Sequence, residues 1–263
     1  MLKGVTIGQF VPGESPVHKL DPRTKLTVSL VFVICIFLVE SLTGFALTAA
    51  FLLSAILLST IPFSMILRGL RPIIWLLFFT WILHAFTDPG KVIYALGPLH
   101  VTMEGVQEGF VVVVRLALLM FGTTLVTLTT SPMSLTDGLE YLLWPLKKFG
   151  LPVSELAMMM TIALRFIPTL LDEAERIMKA QEARGADFVT GSLSRRVRAM
   201  IPLLVPLFIS SFQRADELAI AMEARAYRGG EGRTRLHRLK MRPLDWVLLV
   251  LSSGVFVYLG IAF

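Results

Sequence analysis

Residues 25–39 read KLTVSLVFVICIFLV, and this run decides the fold class because it is apolar and carries no charge after Lys25. Crossing the hydrocarbon core of a bilayer takes about 20 mostly apolar residues in a helix. Four more runs of this character follow along the chain: 45–61, 72–86, 110–128 and 244–263. We therefore predict an all-α polytopic membrane protein with about five transmembrane helices.

The composition of the whole chain agrees with that fold class. Of its 263 residues, 55% are hydrophobic and 17% are charged, and the mean hydropathy is +0.73. Soluble domains carry about 25% charged residues, so a large soluble catalytic domain is excluded. We attribute the net charge of +6 to basic loops beside the membrane and expect no nucleic-acid partner. The single cysteine, Cys35, excludes an internal disulfide and a cysteine-based metal site.

Basic residues alternate between the two sides of the predicted spans and so indicate an orientation. The segment before the first span is basic, and the loop between the second and third spans carries Arg68 and Arg71. The two loops on the other side contain a single Lys or Arg, Lys91. Positive loops face the cytoplasm, so we expect the N-terminus inside and the C-terminus outside. The chain then divides into a region of four spans (1–130), a cytoplasmic or interfacial region (131–243) and a C-terminal transmembrane helix (244–263).

The middle region is apolar and charged at once, with 17 Lys and Arg against 12 Asp and Glu. Two helices are predicted, 155–187 and 194–227, each about 50 Å long. Each begins with an apolar half and ends with a charged half, which is typical of helices that start at the membrane interface and end in the cytoplasm. Two further spans are the alternative, which is disfavoured by Arg165 in the first helix and by Pro202 and Pro206 in the short apolar run of the second.

The two predicted helices share a repeat, in which the pattern of residues 174–184 recurs at 215–225. Each copy ends in Glu-Ala-Arg, followed by a small residue and then a break in the helix. The candidate site residues are Glu182, Ala183, Arg184 and Gly185 in the first copy, and Glu223, Ala224, Arg225 and Ala226 in the second. The two helices therefore present the same C-terminal tip, a guanidinium between small residues.

Two interpretations of this tip are open. An Arg near the C-terminus of a helix complements the macrodipole, and a Gly just beyond it caps the helix. Alternatively, the small neighbours let another protein approach the helix backbone, while the guanidinium offers its fork to a carboxylate or a carbonyl. Because the tip occurs twice at matched positions, we favour the docking of a partner that is itself two-fold.

Several motifs lie along the chain: GQF at 8–10, PGESP at 12–16, HKLDPRTKL at 18–26, TTSP at 129–132, LRFIP at 164–168, AQEARGA at 180–186 and RAYRGG at 225–230. With these motifs, nearly the whole chain resembles the transmembrane T components of energy-coupling factor (ECF) transporters. The second copy of the repeat departs from the family pattern, since Ala226 stands where Gly is usual. Ala takes positive φ less readily than Gly, so we expect the second helix to continue slightly further.

The resemblance implies a non-catalytic subunit of an importer in the plasma membrane of a prokaryote. Two ABC-type ATPase subunits, expected as a heterodimer, would dock on the motifs, one at Arg184 and one at Arg225. A separate membrane protein, the S component, would capture the substrate, and ATP-driven closure of the ATPases would shift the two helices and topple it. The opening motifs resemble the T component shared among vitamin S components. The T component of a dedicated cobalt or nickel importer is the alternative.

Other function classes find less support in the sequence. The P-loop pattern is absent, so ATP hydrolysis is assigned to partners, and we expect no cofactor or metal in this chain. An intramembrane enzyme would need polar groups clustered at one depth, but Arg115, His84 and Asp88 are scattered. His84 and Asp88 stand at i, i+4, and a polar pair at the interface explains them better than a metal site does. A secondary transporter would show two similar multi-span halves, whereas this repeat lies in the two long helices.

Two basic features are assigned structural roles. Arg115 is a charge inside a predicted span, and we expect it to snorkel outward or to pair with Glu104 or Glu108. The basic strip Arg195, Arg196 and Arg198 is expected to meet the anionic headgroups of membrane lipids.

Overall fold

The computed structural model describes residues 10–96, 99–186, 188, 192–229 and 241–262, so Gly8, Gln9 and Gly230 of the motifs above lie outside it. Its elements, in chain order, are α1 (Pro22–Leu38), α2 (Leu42–Ser59), α3 (Phe63–Leu70), α4 (Ile74–Thr87), β1 (Val92–Leu96), β2 (Leu99–Thr102), α5 (Met103–Thr129), α6 (Pro132–Leu143), a 3-10 helix (Trp144–Phe149), α7 (Val153–Ala183), α8 (Leu193–Ala224) and α9 (Pro243–Ala262). The prediction of an all-α membrane protein is confirmed. In the loop after the third predicted span, β1 and β2 form a small antiparallel hairpin that the sequence did not predict.

Each of the five predicted spans is a helix, but their lengths differ from expectation. Among the described residues, α2, α5 and α7 are long and apolar enough to cross a membrane. The pair α3 and α4, bent by 55°, makes a fourth if it is one span. α1 has 17 residues, about 26 Å at 1.5 Å each, which is short for a bilayer, whereas α9 has 20 residues and is about 30 Å long. α7, predicted to be interfacial, thus has the length and composition of a span.

The helices form two compact units, and α1–α6 with α9 make up the first. Its main core is a cluster that includes Phe32, Ile36, Leu118 and Phe256. The rings of Phe32 and Phe256 meet edge to face with their centroids 5.4 Å apart. Cys35 is 5% exposed inside this cluster, where it packs as a small apolar side chain. The outer surface of the unit stays apolar: Trp75 is 78% exposed, as a lipid-facing side chain would be.

One end of the first unit is held together by buried polar groups. The backbone N–H of Asp21, the residue that caps α1, donates to Asp245 Oδ1 at 2.9 Å. The ammonium of Lys25 donates to the carbonyl of Thr129 at 2.8 Å and to Thr130 Oγ1 at 3.2 Å. These bonds join the start of α1 to the end of α5 and the start of α9, which are far apart in the sequence.

The hydrogen-bond partner of Arg115 differs from the one predicted. Its Nη2 donates to the carbonyl of Val39, the C-cap residue just after α1, at 3.0 Å. A cation at this position complements the carboxyl end of a helix dipole. The expected pair with Glu104 or Glu108 does not form, because these residues lie about three and two turns away, respectively, on the same helix, at least about 10 Å along its axis. Glu104 instead accepts the backbone N–H of Lys91 at 2.7 Å.

Candidate functional site

α7 and α8 pack against each other in the second unit and are joined at equivalent positions of the repeat. Arg214 Nη2 donates to Glu173 Oε2 at 2.9 Å, and the two residues are 41 positions apart, which is the offset of the repeat. Arg184 lies about three helical turns after Glu173, and Arg225 lies equally far after Arg214. At 1.5 Å per residue, each tip extends about 16 Å beyond this ion pair. The ion pair therefore marks the start of two arms of equal length.

The first tip is closed by backbone hydrogen bonds. α7 ends at Ala183, and the N–H of Gly185 donates to the carbonyl of Glu182 at 2.9 Å. The N–H of Ala186 donates to the carbonyl of Gln181, also at 2.9 Å. Gly185 is left-handed, with φ +88°. Two such bonds around a left-handed residue form the Schellman motif, which satisfies carbonyls that the helix end leaves free.

The second tip has the same conformation with Ala in place of Gly. The N–H of Ala226 donates to the carbonyl of Glu223 at 2.8 Å, and the N–H of Tyr227 donates to that of Met222 at 3.0 Å. Ala226 is left-handed, with φ +55°. The expectation that the second helix continues further is wrong, since α8 ends at Ala224, the position of the repeat that corresponds to Ala183 at the end of α7. A left-handed Ala costs about 1–2 kcal/mol, which two backbone hydrogen bonds of about 1 kcal/mol each can offset.

The arginine side chains of both tips are exposed and unengaged. Neither the Arg184 nor the Arg225 guanidinium forms a hydrogen bond or ion pair in the part of the chain that the structure describes. Their helix ends are capped by backbone N–H groups, so capping does not occupy the guanidiniums. A Cβ at Gly185 would have no other atom within 4 Å, which leaves the backbone open to a partner. Glu182, Ala183, Glu223, Ala224 and Ala226 are exposed as well. The cap expected from Gly185 is therefore confirmed, and both guanidiniums point to no acceptor among the described residues.

The Glu173–Arg214 ion pair is the part of this site that sequence reasoning missed. The signal was available, because opposite charges occupy the same position of the two repeat copies. The repeat is recognised by residues that are identical in both copies, whereas Glu173 and Arg214 carry opposite charges. The ends of the helices were also placed three or four residues too late, because each Schellman motif closes its helix before the charged run ends.

The remaining candidates do not form a second site. His84 Nδ1 and Asp88 Oδ2 lie 2.7 Å apart as the predicted polar pair. The described ranges contain no group of three side chains from His, Cys, Asp and Glu that could hold a metal ion. Of the basic strip, Arg198 is exposed, and the side chains of Arg195 and Arg196 lie outside the part that is described.

Comparison with known proteins gives matches over almost the whole chain. Residues 13–236 match the CbiQ family model, described as a cobalt transport protein. The chain is 52% identical to the energy-coupling factor transporter transmembrane protein EcfT of Thermosediminibacter oceani over 252 residues, which are 96% of this chain and 95% of that relative. It is 52% identical to the EcfT of Heliobacterium modesticaldum over 98% of this chain and 97% of that relative. It is 49% identical to the EcfT of Bacillus subtilis over 95% of each chain.

Proposed function

Because the chain belongs to the family of transmembrane T components of energy-coupling factor transporters, we propose that its two arginine tips dock two ABC-type ATPase subunits. ATP is hydrolysed in those subunits, and this chain contributes no catalytic group. One ATPase receives Arg184 with its neighbours Ala183 and Gly185. The other receives Arg225 with Ala224 and Ala226. Glu182 and Glu223 support these contacts from the preceding turn of each helix end.

The duplicated, unengaged guanidinium is the observation that carries the proposal. An exposed Arg at a helix end that is closed by backbone hydrogen bonds has five donors available for a carboxylate or carbonyl of a partner. Breaking one buried charge pair at a protein interface costs about 2–5 kcal/mol, so the loss of either arginine contact should weaken the complex measurably. Two identical tips on arms of equal length fit a partner that carries two equivalent sockets.

The same geometry supports a coupling role. When the ATPases close, both tips shift, and the Glu173–Arg214 ion pair links the movement of α7 to that of α8. The apolar first halves of these helices then move the S component, the membrane protein that captures the substrate. Exposed apolar side chains such as Met159 and Phe208 offer a surface for it. Met is unbranched and flexible, which suits contacts that change during a transport cycle.

The surroundings of the tips favour a heterodimer of ATPases. The residue after the left-handed position is Ala186 in the first tip and Tyr227 in the second. The left-handed residue itself is Gly185 in one and Ala226 in the other. The two tips therefore have the same backbone conformation but carry different side chains. Two non-identical ATPase subunits fit such a pair of tips better than two identical subunits do.

We further propose the orientation and the substrate class. Tips that meet ATPases lie in the cytoplasm, and the basic N-terminal segment lies on the same side of a prokaryotic plasma membrane. α9 then places the C-terminus outside. The substrate is a vitamin or similar micronutrient captured by an exchangeable S component, since the opening motifs resemble the shared type of T component. The family description as a cobalt transport protein favours the alternative, a dedicated cobalt or nickel importer. Uptake assays with vitamin S components against labelled cobalt and nickel separate the two.

The docking proposal is tested with the variant Arg184→Glu/Arg225→Glu, co-expressed with its ATPases and S component. We expect both ATPases to be lost from the purified complex, while the chain still inserts into the membrane. Each single reversal should weaken one ATPase contact more than the other. Arg176→Glu and Arg198→Glu are matched controls, because these arginines are exposed on α7 and α8 away from the tips.

Recovery of the full complex with the double variant would contradict the docking role of the arginines. Equal loss of both ATPases in each single variant would indicate a general folding defect instead. The same conclusion would follow if the control reversals released the ATPases.

A further inference from the structure

A half-enclosed cavity of about 390 Å³ lies among four helices of the first unit. It is bounded by α1, α2, α5 and α9, and its walls are almost wholly apolar. Each of the four helices contributes apolar side chains to the walls, and Ala55 is among those from α2. Cavities that bind ligands measure about 300–1,000 Å³, so this one is large enough for a molecule of moderate size.

The cavity has one aromatic end and one polar end. Phe32, Phe51 and Phe256 form the aromatic end, with the centroids of Phe51 and Phe256 4.7 Å apart. Gly122 lets the Phe32 ring pack closely against α5 at this end, because a Cβ at position 122 would stand 2.6 Å from an atom of that ring. The polar end contains Thr24, at the start of α1. From Thr24 to Phe32 the helix rises about 12 Å.

The polar end contains a hydroxyl that nothing satisfies. Thr24 is 2% exposed, and its Oγ1 has no hydrogen-bond partner in the described part of the chain. Buried hydroxyls in folded proteins are normally bonded, so this one has room for a partner from outside the described residues. The neighbouring Lys25 also lines the cavity, but its ammonium already donates hydrogen bonds to backbone and hydroxyl oxygens, among them the carbonyl of Thr129. A ligand with an oxygen at this end and hydrocarbon beyond it would satisfy both ends.

We propose that this cavity binds one acyl chain of a membrane phospholipid, with the ester carbonyl at Thr24 and the methyl end against Phe32 and Phe256. A cavity of about 150 Å³ holds one benzene molecule, so 390 Å³ corresponds to roughly 15 carbon atoms. Phospholipid is the surrounding solvent of this unit, and its acyl chain supplies both the hydrocarbon and the acceptor oxygen. The bound chain fills the gap among four helices and so attaches α9 to α1, α2 and α5.

The test uses the full chain in vesicles of phosphatidylethanolamine and phosphatidylglycerol that contain phosphatidylglycerol with a diazirine on one acyl chain. After illumination, mass spectrometry locates the labelled peptides. Ala55→Phe places a ring in the cavity, and Ala50→Phe makes the same change at an exposed position of the same helix. We expect labelling of the cavity to fall about tenfold with Ala55→Phe, since losing the burial of two methylenes suffices for that factor. Ala50→Phe should leave it unchanged.

Two further variants keep the proposal testable if Ala55→Phe does not fold. Ser54→Trp blocks the cavity from an exposed position, and it should reduce labelling as well. Thr24→Val keeps the shape of the side chain without its hydroxyl, and it should also reduce labelling. Absence of cavity labelling in the unaltered chain would overturn the proposal. So would equal labelling in all variants, which would mean that only loosely associated lipid is detected.

Discussion

Replacing Gly185 with Ala isolates what the first tip requires of its backbone. Gly185 has φ +88°, and a Cβ at this position meets open space. The cost is therefore conformational, about 1–2 kcal/mol for a left-handed Ala, reduced by about 0.4–1 kcal/mol because Ala also restricts the unfolded chain. Because the partner is proposed to bind only the left-handed tip, a net cost of about 1 kcal/mol lowers the population of that form and weakens binding of the ATPase pair by up to about fivefold. The reverse change, Ala226→Gly, removes such a cost at the second tip and should leave binding unchanged or tighten it up to about fivefold.

Affinity for the purified ATPase pair, measured with the chain in lipid nanodiscs, tests this reasoning. Gly150→Ala is the matched control: Gly150 has φ +85°, a Cβ there also meets open space, and it lies just after the 3-10 helix rather than at a tip. It should lower stability without changing affinity. The reasoning is refuted if Gly185→Ala binds as tightly as the unaltered chain, or if Gly150→Ala weakens binding equally. A loss of affinity with Ala226→Gly would refute it too.

Three further predictions concern the ion pair and the buried cations. Glu173→Arg and Arg214→Glu should each lower ATP-driven uptake in proteoliposomes, and the combined exchange should restore it. An ion pair as exposed as this one contributes only about 0.2–1 kcal/mol to stability. A large loss of stability in the single variants would therefore contradict a coupling role. Lys25→Met should lower the apparent melting temperature, because each buried oxygen that loses its hydrogen-bond donor costs about 1–3 kcal/mol of stability. The same change at the exposed Lys19 should leave the melting temperature unchanged. Arg115→Met should lower the melting temperature and keep uptake per folded molecule; lost uptake at unchanged stability would instead reveal a functional role.

The sequence predicted what depends on local patterning. A helix lies at each of the five apolar runs, and the charged second halves marked α7 and α8 as a related pair. The repeat placed Arg184 and Arg225 at matched helix ends, as the structure has them. These features follow from the order of residue types within one or two turns of helix, so no knowledge of neighbouring elements was needed.

The rest depends on contacts between segments, which one-dimensional patterns do not contain. The partner of Arg115 is the carbonyl of Val39, 76 positions away, and no charge pattern points to a backbone acceptor. The left-handed conformation of Ala226 was counted as unfavourable from its residue type, but two hydrogen bonds across the helix end outweigh that preference. The cavity is formed by four helices whose packing leaves the Thr24 hydroxyl unpaired, and that absence has no sequence signature.

The position of the Glu173–Arg214 ion pair along α7 and α8 bears on the coupling role proposed for the tips. Before the pair, each helix extends about 30 Å from its first residue, against about 16 Å after it. If the helices pivot at this contact, a movement of about 1 Å at the tips becomes about 2 Å at the apolar ends, by the ratio of the arms. The prolines that can bend these helices, Pro168, Pro202 and Pro206, all lie in the longer arms, so the short arms are uninterrupted helix. A push at the tips therefore passes through a stiff segment before it reaches a segment able to adapt, which is the order that a transmitted stroke requires.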